Sequence, residues 1–233
     1  MGSIDFQSYE SRAEASAAAA ELLAALVRKK LSGSPQAQAS LVVSGGSTPG
    51  PCFDLLSREP LDWTRVTVMP SDERWVPADH PDSNERLIRS RLLQNRAARG
   101  NVLPLFRAGV EATQAPSLIQ ADLADTAQPF SAVLLGMGED GHFASLFPDF
   151  EQLPAALEPE TQEPCMVVQT ASSPHLRISL TLSALLNSGH IVLLIFGAAK
   201  REVFETAKQG GSAYPVEALL RHSRKPLTVI WAG

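Results

Sequence analysis

The sequence predicts a three-layer α/β/α fold: a largely parallel sheet with helices on both faces, in a Rossmann-like arrangement. Three observations predict it. Helical and strand-like runs alternate along the chain. Most strand-like runs are unbroken apolar stretches rather than alternating ones, as expected for strands buried on both faces. The chain has 233 residues, 44% of them hydrophobic and 19% charged, enough for one large domain with a sizeable core. No internal repeat, low-complexity linker or convincing boundary interrupts residues 1–233, which read as a single domain.

The elements follow in order. Residues 10–31 read as a helix, because Ala and Leu dominate and Gly33 with Pro35 ends it. Strands are expected at 40–44, 65–69, 131–135, 166–170, 191–196 and 227–231. Between them, helices are expected at 51–57, 84–96, 113–127, 198–209 and 215–222, with a short helical turn at 184–186. Asp82-Ser83-Asn84-Glu85 fits a capping box at the start of the 84–96 helix. The Pro- and Glu-rich stretch 154–164 reads as a surface loop, either a lid or a spacer.

Composition narrows the function. A net charge of −5 without a Lys/Arg cluster argues against a nucleic-acid partner. Cys52 and Cys165 share no metal-type spacing, so neither a disulfide scaffold nor a zinc site is expected. The opening Met-Gly-Ser-Ile-Asp lacks the apolar segment of a signal peptide. The Ala-rich run at 13–26 is too short to span a bilayer and is interrupted by Glu14 and Glu21. A reducing cytoplasmic setting is the expectation.

In an open parallel sheet, ligands bind beyond the carboxyl ends of the strands. Four polar clusters follow strand runs and so fall on one predicted edge. The first, Ser44-Gly45-Gly46-Ser47-Thr48-Pro49, is either a tight turn with an N-cap or an anion site at a helix N-terminus. In the second, Ser71-Asp72-Glu73-Arg74-Trp75, alternation along an extended end puts Asp72 and Arg74 on one side. That segment is either a solvated charged turn or a cleft wall whose arginine meets a phosphate or oxyanion. Trp75 reads as packing.

The third cluster, Gly136-Met137-Gly138-Glu139-Asp140-Gly141-His142, is the most informative. Its glycines permit positive φ and close approach of a ligand, and it delivers a carboxylate and an imidazole two residues apart. Histidine accepts protons near neutrality, and Asp140 can fix its tautomer. Gly136, Gly138 and Gly141 also spell G-x-G-x-x-G, but Pro148 arrives almost at once and the next strand run ends without an acid, so a dinucleotide site is rejected. Among the other histidines, His190 and His222 read as structural, whereas His80 and His175 sit in Pro-flanked loops near a possible cleft. The fourth cluster is Lys200, four residues past Phe196, to which Arg177 adds a second cation for a phosphate pocket. No G-x-S-x-G elbow or H-E-x-x-H pair is present.

Together these segments resemble the 6-phosphogluconolactonase family, whose fold is shared with glucosamine-6-phosphate deaminases and ribose-5-phosphate isomerases. The likeness runs in order through Ser44 to Pro49, Asp72-Glu73-Arg74-Trp75-Val76-Pro77 with Asp82-Ser83-Asn84, the Gly136 to His142 loop, Arg177-Ile178-Ser179-Leu180-Thr181 and Gly197-Ala198-Ala199-Lys200. It implies hydrolysis of 6-phospho-D-glucono-1,5-lactone with His142 as base and Asp140 and Asp72 beside it in the catalytic set. Gly45, Gly46, Ser47, Thr48, Arg74, Arg177 and Lys200 would bind substrate, the last two through its phosphate. Neither a metal nor an organic cofactor is implied, and the expected partner is a phosphorylated sugar lactone met by a monomer or weak homo-oligomer. The related deaminases carry an acid five residues beyond this histidine, where this sequence has Phe147. Two alternatives differ in kind: an isomerase or deaminase of the same fold, and a non-catalytic sugar-phosphate sensor, which would need a DNA-binding module that the residues before Ser40 have no room for.

Overall fold

The computed structural model describes residues 3–171 and 173–233. The chain opens with β1 (Ile4–Tyr9), a strand that the apolar-run criterion does not pick out. It lies at a sheet edge and is only partly buried; Ile4 and Phe6 pack inward, and the Phe6 ring stacks on Phe204 at 5.5 Å. Helix α1 (Arg12–Leu31) follows. The Ser11 hydroxyl caps it by accepting from the Glu14 N–H at 3.2 Å. Arg28, Lys29 and Lys30 occupy its last turn, where the helix dipole favours cations. The buried side of α1 is rich in alanine (Ala15, Ala19, Ala20 and Ala24), which lets the helix backbone approach the sheet.

Then come β2 (Ala39–Val43), α2 (Gly50–Leu56), β3 (Val66–Pro70), β4 (Asp72–Arg74), α3 (Asn84–Leu87), β5 (Asn101–Val102) and α4 (Ala115–Ala124). The second half adds β6 (Ala132–Leu135), α5 (Leu153–Ala156), β7 (Cys165–Val168), β8 (Arg177–Leu180), α6 (Leu182–Leu186) and β9 (Ile191–Phe196). Helices α7 (Ala198–Gln209) and α8 (Pro215–His222) lead into β10 (Leu227–Ala232).

Seven strands form a parallel sheet in the order β1-β10-β9-β6-β2-β3-β5. Its unbroken apolar strands divide residue by residue between two cores. Val42, Val133, Leu135, Ile191 and Leu193 face the layer that contains α4, α6, α7 and α8. Leu41, Val43, Leu134, Val192 and Leu194 face α1 and α2. Each such side chain contributes about 1.5–3 kcal/mol when fully buried, so the three-layer arrangement follows from the strand sequences themselves.

Several expectations need correction. The 166–170 run is not in the parallel sheet. As β7 it pairs antiparallel with β8, which pairs with β4, in a separate sheet of order β4-β8-β7. The reason is the connection: β7 and β8 are joined by a short loop, whereas parallel neighbours need a crossover of a dozen or more residues. The 84–96 helix is broken after α3 by a π-type turn (Ile88–Leu92), with Leu93 N–H donating to Ile88 O at 2.9 Å, and by a left-handed Asn95. The cap of α3 is Ser83, accepting from Arg86 N–H at 3.2 Å. Asp82 instead pairs with His175 at 2.8 Å. The stretch 154–164 contains the end of α5, and its far end is anchored, Glu163 and Pro164 carbonyls accepting from Thr181.

Candidate active site

Strand order changes direction between β2 and β6. From β2 the chain steps to β3 and β5 on one side, and from β6 it steps to β9 and β10 on the other. Loops leaving the carboxyl ends of β2 and β6 therefore diverge around a crevice, the usual place for a ligand in such a sheet. They are tied at its floor, where the Ser44 hydroxyl accepts from Gly136 N–H at 3.1 Å. The small sheet is joined to the same edge through Ser71, whose N–H donates to Val43 O at 2.8 Å and whose carbonyl accepts from Leu180 N–H at 2.9 Å.

The crevice is a cavity of about 240 Å³ lined by Gly45, Gly46, Ser47, Thr48, Asp72, Arg74, His142, Arg177 and Lys200, all nine singled out by the sequence. Asp140 stands behind His142. Its Oδ1 accepts from the His142 ring at Nδ1, 2.6 Å away, and from the His142 backbone N–H at 3.2 Å. A donating Nδ1 leaves Nε2 as the proton acceptor. Gly138 makes the pair possible, because a Cβ there would stand 2.3 Å from both Asp140 Oδ1 and His142 Nδ1. Gly141, at φ +76°, turns the chain beneath Tyr214, and its carbonyl accepts from Val216 N–H at 3.0 Å.

Strand β4 alternates as expected. Asp72 and Arg74 face the cavity, while Glu73 points the other way and is fully buried. The Glu73 carboxylate accepts from the N–H groups of Arg74, Asn84 and Glu85 at 2.7–2.8 Å and from the Ser83 hydroxyl at 3.1 Å. It thereby takes up donors that the start of α3 leaves free. Burial pushes its carboxyl above the ordinary glutamate value, and the three backbone donors pull it back. Asn84, which the sequence reading did not place in the site, donates from its side chain to Asp72 O at 2.7 Å and fills the space beside Gly45, where a Cβ would lie 1.9 Å from its Oδ1. The Asp-Ser-Asn run quoted above carries that signal only through resemblance.

Both Asp72 oxygens are engaged. Oδ1 accepts from the Ser71 hydroxyl at 2.9 Å, and Oδ2 from the Ser145 hydroxyl at 2.5 Å, with Arg177 Nη1 3.5 Å away. Burial pulls the Arg177 guanidinium below its ordinary value, against the nearby Asp72 carboxylate, which raises it. Arg74 donates to the Asp82 carbonyl, while its Nε is buried without a partner. Lys200 sits in the first turn of α7, behind Gly197 at φ +91°, and makes no ion pair among the described residues. Phe147 packs on His142, with ring centroids 4.3 Å apart, and the Arg177 guanidinium lies 5.2 Å from the Phe147 ring.

Outside the cavity, Trp75 packs on Phe106 with centroids 5.0 Å apart, as expected of a packing residue. His190 meets the Thr228 hydroxyl at 2.9 Å, and burial lowers its affinity for a proton. His80 and His175 lie edge to face at 5.6 Å over Asp82, beside but not lining the cavity. Residues 154–164 do not line it either. Among the described residues, no three His, Cys, Asp or Glu side chains converge in a way that would hold a metal ion.

The switch point of this open parallel sheet thus brings a histidine–aspartate pair together with three cations, an arrangement suited to proton transfer beside a bound anion. The chain belongs to the family described as glucosamine-6-phosphate isomerases/6-phosphogluconolactonase, whose profile matches residues 10–231. It is 40% identical over 219 residues to a 6-phosphogluconolactonase of Rhizobium meliloti (strain 1021), covering 92% of this chain and 94% of that protein. To one from Pseudomonas aeruginosa it is 37% identical over 230 residues, covering 98% and 94%. The crystal structure of a 6-phosphogluconolactonase from Shewanella baltica OS155 superposes with a TM-score of 0.92 at 37% identity, over 99% of this chain and 98% of that one.

Proposed function

We propose that this chain hydrolyses 6-phospho-D-glucono-1,5-lactone to 6-phospho-D-gluconate, a step of the oxidative pentose phosphate pathway. The observation that carries the reading is the His142–Asp140 pair facing a cavity with three cations and a single lining carboxylate, Asp72. Neutral His142 takes a proton through Nε2 from water as the water oxygen bonds to C1 of the lactone. The tetrahedral oxyanion meets Arg74 or backbone N–H groups of the glycine loop. It collapses with cleavage of the bond from C1 to the ring oxygen, which takes the proton back from the imidazolium. The new carboxyl group then releases its own proton to solvent.

Arg177 and Lys200 hold the phosphate. Asp72, which accepts from the Ser71 and Ser145 hydroxyls, orients Arg177 and balances its charge. The substrate is a small phosphorylated lactone rather than nucleic acid, met by a monomer or weak homo-oligomer. Among the described residues no helix is long and apolar enough to cross a membrane, and a soluble sugar phosphate as substrate fits a cytoplasmic setting. The test is a coupled assay that follows 6-phosphogluconate from freshly generated lactone with and without protein. Acceleration proportional to protein concentration is expected; a rate equal to spontaneous opening refutes the reading.

A further inference from the structure

The turn between the base and the small sheet has work that the proposed chemistry does not use. It begins at Ala144, held at a left-handed φ of 49° that costs an alanine energy, and reaches Pro148 four residues later. Within it, Ser145 and Phe147 both reach Arg177. The fully buried Ser145 gives its hydroxyl hydrogen to Asp72 and accepts from Arg177 Nη1 at 3.3 Å, so one hydroxyl joins carboxylate to guanidinium. Its own N–H donates to the Ser179 hydroxyl at 3.1 Å, fixing the turn to β8, the strand that carries Arg177. Phe147 supplies the other support: its ring underlies the Arg177 guanidinium and also touches the His142 imidazole. A further anchor of Arg177 is the Ser173 hydroxyl, which accepts from Nε at 2.8 Å.

We propose that the turn of residues 144–148 is a spacer that fixes Arg177 relative to His142, and that Ser145 and Phe147 are thereby specificity-determining positioning residues for the anionic end of the substrate. This rests on the reading of Arg177 as a phosphate-binding residue. A guanidinium stacked on an aromatic ring and pinned by a serine and a carboxylate keeps a fixed direction for its free donors. The imidazole packed on the same ring keeps its distance from them. A lactone whose phosphate lies at the matching separation from C1 is then held with its carbonyl at the base, whereas an unphosphorylated lactone gains nothing from the arrangement.

The discriminating quantity is the ratio of kcat/KM for 6-phosphogluconolactone to kcat/KM for glucono-1,5-lactone. This ratio is independent of the fraction of correctly folded enzyme, so loss of folded protein does not move it. Arg177→Ala is the control and should lower it. Ser145→Ala should lower the ratio about 10-fold, in line with loss of a charge-assisted contact expressed in binding, while kcat/KM for glucono-1,5-lactone stays within about two-fold. Phe147→Leu should also lower the ratio and is read in the same way if Ser145→Ala does not fold. An unchanged ratio in the folded Ser145→Ala enzyme, or in Phe147→Leu where Ser145→Ala does not fold, overturns the spacer. An unchanged ratio in Arg177→Ala overturns the phosphate reading itself, and the spacer falls with it.

Discussion

On the proposed mechanism, removing the imidazole of His142 leaves the cavity without its proton acceptor. Asp72, the one carboxylate lining the cavity among the described residues, is turned to Ser71, Ser145 and Arg177. His142→Asn should therefore lower kcat by roughly 10²–10⁴-fold, the usual weight of general-base catalysis, with a circular dichroism spectrum like that of the parent. Near-parental turnover in the folded variant would remove His142 from the role. Lys200 carries a different expectation, because it is a cation without an ion pair among the described residues and lies on a separate element, in the first turn of α7. Lys200→Ala should raise KM for the phosphorylated lactone more than it lowers kcat, since a phosphate contact remote from C1 contributes mainly uniform binding; a pure kcat effect would contradict this. At this scale the sequence was most readable where chemistry and backbone demand coincide. Glycines at 136, 138 and 141 beside Asp140 and His142 announce a tight loop carrying a carboxylate and an imidazole, and at Gly138 a Cβ would meet both side chains. Ser145 gave no such signal. A lone serine after Ala144 has no pattern, and its role exists only once β4 and β8 bring Asp72 and Arg177 to it.

Two helix starts hold neighbouring loops, each through a buried carboxylate. Glu73 gathers the first turn of α3 and so fixes Asn84 beside Gly45. Glu73→Gln turns one acceptor oxygen into a donor facing N–H groups, and buried donors left unpaired cost about 1–3 kcal/mol. Urea unfolding should show a loss of that size, and an unchanged midpoint would mean that the carboxylate is not the cap. At the other start, Glu217 of α8 accepts from Gly211 N–H at 3.0 Å and from the N–H and hydroxyl of Ser212 at 2.6 and 2.8 Å, and it pairs with Arg221. The Gly211 and Ser212 contacts hold its carboxyl below the ordinary value of 4.5. A carboxyl depressed in the folded state contributes stability that is fully present above the unfolded value and is lost as pH falls through the folded one. The protein should thus lose stability on acidification below about pH 4.5, and Glu217→Gln should flatten that part of the curve. Identical pH profiles for the two proteins would refute the assignment. Element type was legible wherever a period or a stop signal was strong, as in α1, α7 and α8. It was not legible at β1, whose edge position leaves it partly exposed and without an unbroken apolar run. Nor was it legible in 84–96, where a π-type turn and a left-handed Asn95 interrupt a helical pattern that composition alone cannot distinguish from a continuous helix.

At the scale of the whole molecule, the sheet order decides which loops can meet. The unbroken apolar strands made the three layers legible, but membership of the small antiparallel sheet was not, because a short apolar run says nothing about its partner. That small sheet sets the chemistry, since it places Asp72, Arg74 and Arg177 across from the His142 loop. The result is a cleft rich in cations and poor in acids, and acid inventory separates the reactions available to this fold. Lactone hydrolysis needs one group that takes a proton from water and returns it to the ring oxygen, and His142 can do both in turn. Isomerisation with deamination needs ring opening and a proton transfer between C1 and C2, which calls for additional carboxylates. Here Asp140 is committed to His142, Asp72 to Ser71, Ser145 and Arg177, and Glu73 is buried under α3. Beside the imidazole, where an acid would be needed, stands the Phe147 ring. The protein should therefore open 6-phosphogluconolactone while neither releasing ammonia from glucosamine 6-phosphate nor interconverting ribose and ribulose 5-phosphates. The measurement offers each sugar phosphate at equal concentration and follows acid, ammonia and ketose separately. Ammonia or ketose formed at a rate comparable to lactone opening would show that the cleft finds its second acid elsewhere, and the hydrolase reading would give way to an isomerase.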